Sequence, residues 1–288
     1  MFGVYDSEIE PEYIPGIGTG PGLDFVCQGI GCGIDSNQIE AQKGLLDNTI
    51  NRDDNYEYLF FPIDITSFSR GSTTGADFIN KIDNQNYWNL GLLTRSHLMF
   101  DPVGSYGIAG NGIDIGRDFS TPTNVIAIQI NAQHETRNLF DLQSLQTSQG
   151  ALASPNWTEI TLPGVHATIG GGYKDSEQGK TQDMTFYSMQ TMINHAEQYG
   201  VKFRDIPQNQ RPSQAFNQLM DRYNQSRTSL EANPSDANKR NFGAIDGMIK
   251  DISVHDSTIR LNKPWELHNY SIGSERGKYY PNDKYLDN

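Results

Sequence analysis

Three residues far apart in the chain have the types needed for acyl transfer. The run Ser67-Phe68-Ser69-Arg70-Gly71 is close to the pattern G-x-S-x-G, with Ser67 in the first glycine position. In that pattern small flanking residues let the chain turn sharply and hold a serine hydroxyl clear of a sheet. Ser69 is the candidate nucleophile. The Arg70 N–H would point at the oxyanion that develops on attack, and a helix starting there adds partial positive charge. A serine hydroxyl needs a base, and the base needs an orienting carboxylate. His166 and Asp101 are the candidates for these roles, with His255 in His255-Asp256-Ser257 as the alternative base. Each also has a plainer reading. Ser and Gly mark ordinary turns, Asp101-Pro102 is a turn starter, and His166 sits beside a glycine-rich turn.

The elements around these residues decide between the readings. Residues 56–66 carry the run Tyr58-Leu59-Phe60-Phe61-Pro62-Ile63-Asp64-Ile65, which predicts a buried strand. Pro62 inside it implies a bulge or a late start. Residues 67–82 then have helical spacing, with Ala76, Phe78, Ile79 and Ile82 on one side. Leu98-Met99-Phe100 predicts a short strand ending at Asp101, residues 125–130 a strong buried strand, and residues 157–162 another before Pro163-Gly164. Residues 183–199 predict an amphipathic helix closed by Gly200, and residues 217–230 a polar helix. Residues 39–50 have apolar positions near helical spacing. This alternation of strand and helix is α/β syntax. The order serine, acid, histidine, each after a strand, is the order found in α/β-hydrolases.

The chain has 288 residues, 20% charged and 36% hydrophobic, with a formal net charge of −13. So acidic a chain is a poor candidate for binding nucleic acid or anionic lipid through bulk charge. No apolar run approaches the ~18–20 residues of a spanning helix. The N-terminus lacks a basic segment followed by an apolar run, so no signal peptide is expected and synthesis is expected in the cytoplasm. Cys27 and Cys32 form no disulfide framework and no zinc pattern. Gly16-Ile17-Gly18-Thr19-Gly20 lacks the Lys-Ser/Thr ending of a phosphate-binding loop and follows no clear strand.

At the level of motifs the chain resembles a family of bacterial α/β-hydrolases, the phospholipase effectors delivered by type VI secretion. The family elbow G-F-S-R-G-A is matched by Ser67-Phe68-Ser69-Arg70-Gly71-Ser72. Its W-D-T-V-G-S is matched by Phe100-Asp101-Pro102-Val103-Gly104-Ser105, and its D-E-x-R-x-x-F by residues 134–140. The most specific stretch, P-G-V-H-S-D-V-G-G-G-Y, is similar to residues 163–173, with differences at Ala167, Thr168 and Ile169. An early Y-x-P-G-V-G-T resembles Tyr13-Ile14-Pro15-Gly16-Ile17-Gly18-Thr19.

The resemblance implies an α/β-hydrolase-like, mostly parallel sheet flanked by helices. It implies lipid ester hydrolysis with Ser69 as nucleophile, Asp101 as acid and His166 as base. No metal or other cofactor is expected. A phospholipid substrate, export by type VI secretion, and a secretion-apparatus or immunity protein partner follow as expectations. Thr168 stands where the family has an Asp, so any role of that carboxylate is lost. The family begins with a strand and an F-x-D-G-T-x-N-like loop ahead of Y-x-P-G-V-G-T. This chain is expected to start after it, leaving the first central strand missing. The resulting expectation is a catalytic domain over 1–230, incomplete at its N-terminus, with a loop-rich extension of the same domain over 231–288. Polar residues 106–120 and the 140–155 loop are candidates for a lid or acyl cleft. The competing class is a degenerate or truncated hydrolase fold that binds or delivers. A hydrolase of another ester or amide is the third option.

Overall fold

The computed structural model describes residues 41, 44, 61–84, 92–104, 119–135, 137, 140–172, 174–254 and 278–286. Ala41 and Gly44 are helical; the rest of 39–50, the early glycine run, the two cysteines and His255 lie outside the described residues, as does most of 106–120.

A four-stranded sheet carries the architecture, built from β1 (Phe61–Phe68), β2 (Leu92–Phe100), β3 (Ile126–Ala132) and β5 (Trp157–Leu162), in the spatial order β1-β2-β3-β5. All three pairings are parallel. Parallel strands are covered by helices on both faces, so their sequences read as apolar runs rather than as alternation. This is why β3, buried along almost its whole length, is plain in the sequence. Among the described residues β1 lies at the outer edge of the sheet. Its register with β2 shifts between Ile63 and Asp64, one residue beyond Pro62, which is the irregularity that proline implied.

Successive side chains point to opposite faces. On one face Leu98, Phe100, Ile128, Ile130 and Leu162 join a core with α3 (Asp183–Glu197), α4 (Gln214–Ala232) and α5 (Asp236–Ser253). Each fully buried side chain of this size contributes on the order of 1.5–3 kcal/mol relative to exposure. On the other face Met99, Ala127 and Trp157 pack with Leu145 and, from the C-terminal segment, Tyr285. Helix α1 (Arg70–Asn84) covers that face beside β1 and β2, where Gly75 comes against the His97 ring.

Two expectations are corrected. β2 is nine residues long, beginning six residues before Leu98. Its middle, Thr94-Arg95-Ser96-His97, is polar, and Arg95, Ser96 and His97 find partners on β1. The Arg95 guanidinium and the Ser96 hydroxyl donate to the Asp64 carboxylate, and His97 meets Ser67. The stretch after 231, expected to be loop-rich, contains the 18-residue helix α5. Ser235 caps it by accepting from the Asn238 N–H, and Phe242, Ile245 and Ile249 face the core.

The 140–155 segment is tied down. The Glu159 carboxylate accepts from the Ser144 hydroxyl at 2.7 Å and the Leu145 N–H at 2.8 Å. Within it β4 (Leu142–Gln143) pairs with β6 (Lys278–Tyr279), and Asn282 donates to the Ser144 and Leu145 carbonyls.

Candidate active site

The C-terminal ends of parallel strands are where loops converge. Ser69 is the single residue between the end of β1 and the start of α1. Its φ of 59° lies in the left-handed region. Such a conformation costs on the order of 1–3 kcal/mol for a residue with a side chain and persists only where the surroundings hold it. Three backbone bonds do so. The Ser69 N–H donates to the Phe100 carbonyl at 3.1 Å, and its own carbonyl accepts from the Ser72 N–H at 3.0 Å and the Val103 N–H at 3.2 Å. Arg70 is the first residue of the 15-residue helix α1, which places its backbone at the positive end of the helix dipole.

Asp101 follows β2 and also has positive φ, 41°. Its N–H donates to the Ile130 carbonyl at 2.7 Å, and its Oδ1 accepts from the Ala132 N–H at 2.7 Å. The carboxylate is thus fully buried and fixed by the neighbouring strand. His166 opens the short helix α2 (His166–Gly170), an element not foreseen in the glycine-rich 163–173 stretch. Its Nδ1 lies 2.7 Å from Asp101 Oδ2 and its Nε2 lies 2.8 Å from Ser69 Oγ. A carboxylate can only accept, so Nδ1 carries the hydrogen and Nε2 is left to accept from the serine hydroxyl. All three residues singled out in the sequence therefore meet in one relay.

The elbow departs from G-x-S-x-G in an instructive way. The Ser67 side chain, in place of the first glycine, is absorbed by a polar pocket: its Oγ donates to Ser72 Oγ at 3.1 Å and lies 2.9 Å from His97 Nε2. The close approach that needs a glycine occurs at Gly170, where a Cβ would strike the Phe68 ring. That freedom lets Phe68 stack on the His166 imidazole, with ring centroids 4.5 Å apart.

The other described histidines have structural surroundings. His134 pairs with Asp246 of α5 at 2.9 Å, and the His195 ring bonds the Thr191 carbonyl one turn back in its own helix. Burial pushes the His97 imidazole down to about 3 from its ordinary 6.5. Between these values the unfolded chain binds a proton that the folded chain refuses, so stability is fully present above about pH 6.5 and falls as pH drops toward 3. One such proton contributes a slope of up to about 1.4 kcal/mol per pH unit. His97→Asn keeps a polar partner for Ser67 without the titration. Urea unfolding between pH 4 and 6.5 is expected to show a shallower loss of stability in that variant by up to this slope.

Among the described residues no helix is long and apolar enough to cross a membrane, and no group of three or more His, Cys, Asp or Glu could hold a metal ion.

The architecture is a mostly parallel α/β sheet flanked by helices, with a serine at a strand-to-helix elbow and an acid and histidine at the ends of later strands. That is the arrangement of α/β-hydrolases. No protein-family model matches the chain and no curated protein sequence matches it. Solved structures similar to it include two that overlap it in part. One is an uncharacterised protein from Pseudomonas aeruginosa, 19% identical, with a TM-score of 0.49 over 65% of this chain and 30% of that one. The other is the Tle1 effector bound to the VgrG spike from the type VI secretion system, 17% identical, with a TM-score of 0.47 over 66% of this chain and 58% of that one. The chain thus spans less than two thirds of either structure.

Proposed function

We propose that the chain is a serine hydrolase of carboxylic esters. One observation carries this: a serine hydroxyl in a strained elbow, 2.8 Å from an imidazole whose other nitrogen is 2.7 Å from a buried carboxylate. Ser69 Oγ attacks the ester carbonyl carbon while its proton moves to His166 Nε2. Asp101 holds the imidazole in the required tautomer and stabilises the imidazolium. The negative charge that forms on the carbonyl oxygen faces the Arg70 N–H at the start of α1. The tetrahedral intermediate expels the alcohol, which takes the proton from His166. Water then attacks the acyl-serine, gives a proton to His166, and a carboxylic acid leaves as Ser69 recovers its hydrogen.

The motifs shared with type VI secretion phospholipases support a lipid ester as substrate, and with it the role of an exported effector. In that reading a spike protein of the secretion apparatus would carry it and an immunity protein would oppose it. The net charge of −13 argues against charge-driven adsorption to anionic lipid, so an acyl chain must be reached through an apolar cleft or by delivery.

The test is fatty acid release from phosphatidylethanolamine and phosphatidylglycerol vesicles, alongside cleavage of p-nitrophenyl butyrate. Release from both supports the full reading. Cleavage of the short ester alone removes the phospholipid assignment and leaves an esterase. Cleavage of neither contradicts the proposal.

A further inference from the structure

The nucleophile and acid are each tied by backbone bonds to the neighbouring strand, whereas His166 sits at the start of a five-residue helix that cannot hold a ring in place by itself. The segment after β3 makes up the difference. The His134 N–H donates to the Gly164 carbonyl at 2.8 Å, binding that segment to the turn before His166. The fully buried Glu135 carboxylate then reaches the helix start, where Oε2 accepts the His166 backbone N–H at 3.2 Å. That N–H is among those a helix N-terminus leaves without an intrahelical partner.

Arg137 satisfies the rest of the carboxylate. Its backbone N–H and Nε donate to Oε1 at 2.9 and 2.8 Å, and its Nη2 donates to Oε2 at 2.8 Å. Its guanidinium carbon also lies 3.6 Å from the centroid of the Phe140 ring. Phe140 in turn meets the imidazole edge-on at 4.7 Å, while Phe68 stacks on it. Burial alone would push the Glu135 carboxyl up. The hydrogen bonds and charge of Arg137 outweigh this and bring it below the ordinary glutamate value, with the charge of His166 adding to the pull.

We propose that Glu135, Arg137 and Phe140 form a brace that positions His166: the carboxylate fixes its main chain and the arginine-backed ring fixes its imidazole. The proposal rests on the hydrolase reading of Ser69, Asp101 and His166. It makes these three residues positioning residues, because none touches the reacting atoms. The charged groups around the imidazole are Asp101 from the end of β2 and Glu135 and Arg137 from the segment after β3. The contacts from α3 are the hydroxyls of Thr185 and Ser188 on the Thr168 and Ile169 carbonyls, which carry no charge.

A histidine NMR titration of the intact chain, run alongside p-nitrophenyl butyrate turnover, tests the brace. The His166 signal is assigned by its loss in His166→Asn. In Glu135→Gln the ring is expected to titrate at lower pH, because a nearby negative charge is gone and the Arg137 cation remains. kcat is expected to fall about 10²-fold, as for a misplacement near 1 Å, with KM unchanged. Phe140→Leu, at a half-buried position, is expected to lower kcat as well. Phe140→Tyr, which keeps the ring, is expected to recover most of that loss. If Glu135→Gln fails to fold, the Phe140 pair decides. An unmoved titration with unchanged kcat in Glu135→Gln, or Phe140→Leu turning over like the unchanged chain, overturns the brace and leaves the hydrolase reading standing. No turnover in the unchanged chain overturns the hydrolase reading, and the titration shift then still decides whether the brace acts on His166.

Discussion

Ser69→Ala is expected to lower kcat on a short acyl ester by about 10⁶-fold, the scale of loss when the serine of such a triad is removed. The size follows from the chemistry. Without Oγ there is no acyl-enzyme, and His166 can act only on water held by chance near the ester. Fold loss does not account for it. The left-handed turn at position 69 is held by backbone bonds to Phe100, Ser72 and Val103, and alanine keeps all three. The melting temperature of the variant is therefore expected to stay close to that of the unchanged chain. A variant that retains turnover would remove Ser69 from the mechanism.

His166→Ala is expected to cost a similar factor, and His255→Ala to leave turnover near its starting value. The basis is the 2.8 Å and 2.7 Å contacts of the His166 ring with Ser69 and Asp101. Asp101→Asn is the sharper companion. The amide can still accept from the Ala132 N–H, but it offers no charge to the imidazolium and can donate to the ring, which favours the wrong tautomer. A loss of about 10⁴ in kcat is expected. Loss of turnover only in His255→Ala would reverse the assignment of the base.

Much of the relay was legible in the sequence because parallel strands advertise their ends. β3 is largely apolar, and the turns after β2 and β5 are marked by Asp101-Pro102 and Pro163-Gly164. Ser69, Asp101 and His166 could therefore be placed at strand ends from residue order alone. What escaped detection is polar and buried. The middle of β2 reads Thr94-Arg95-Ser96-His97, which looks like surface until Asp64 and Ser67 supply partners from the neighbouring strand. α5 escaped for a similar reason. Asp246 occupies a core-facing position where periodicity requires an apolar residue, and it is accommodated only by His134, about 110 positions earlier. Burial would push its carboxyl up, but His134 and Lys250 bring it below the ordinary value. The aromatic clamp on His166 joins Phe68 and Phe140 across the fold, and no local pattern encodes such a meeting. The motif resemblance flagged residues 134–140 as a unit but gave no reason for it. In the structure Glu135, Arg137 and Phe140 of this stretch are joined to one another and to His166.

The central claim is that Ser69 is an activated nucleophile. It is tested most directly by exposing the intact chain to a fluorophosphonate probe and mapping the adduct by mass spectrometry. A covalent adduct on Ser69, absent after heat denaturation and strongly reduced in His166→Ala, is the predicted result. A chain left unlabelled while folded, or labelled at another serine with Ser69 untouched, would contradict it.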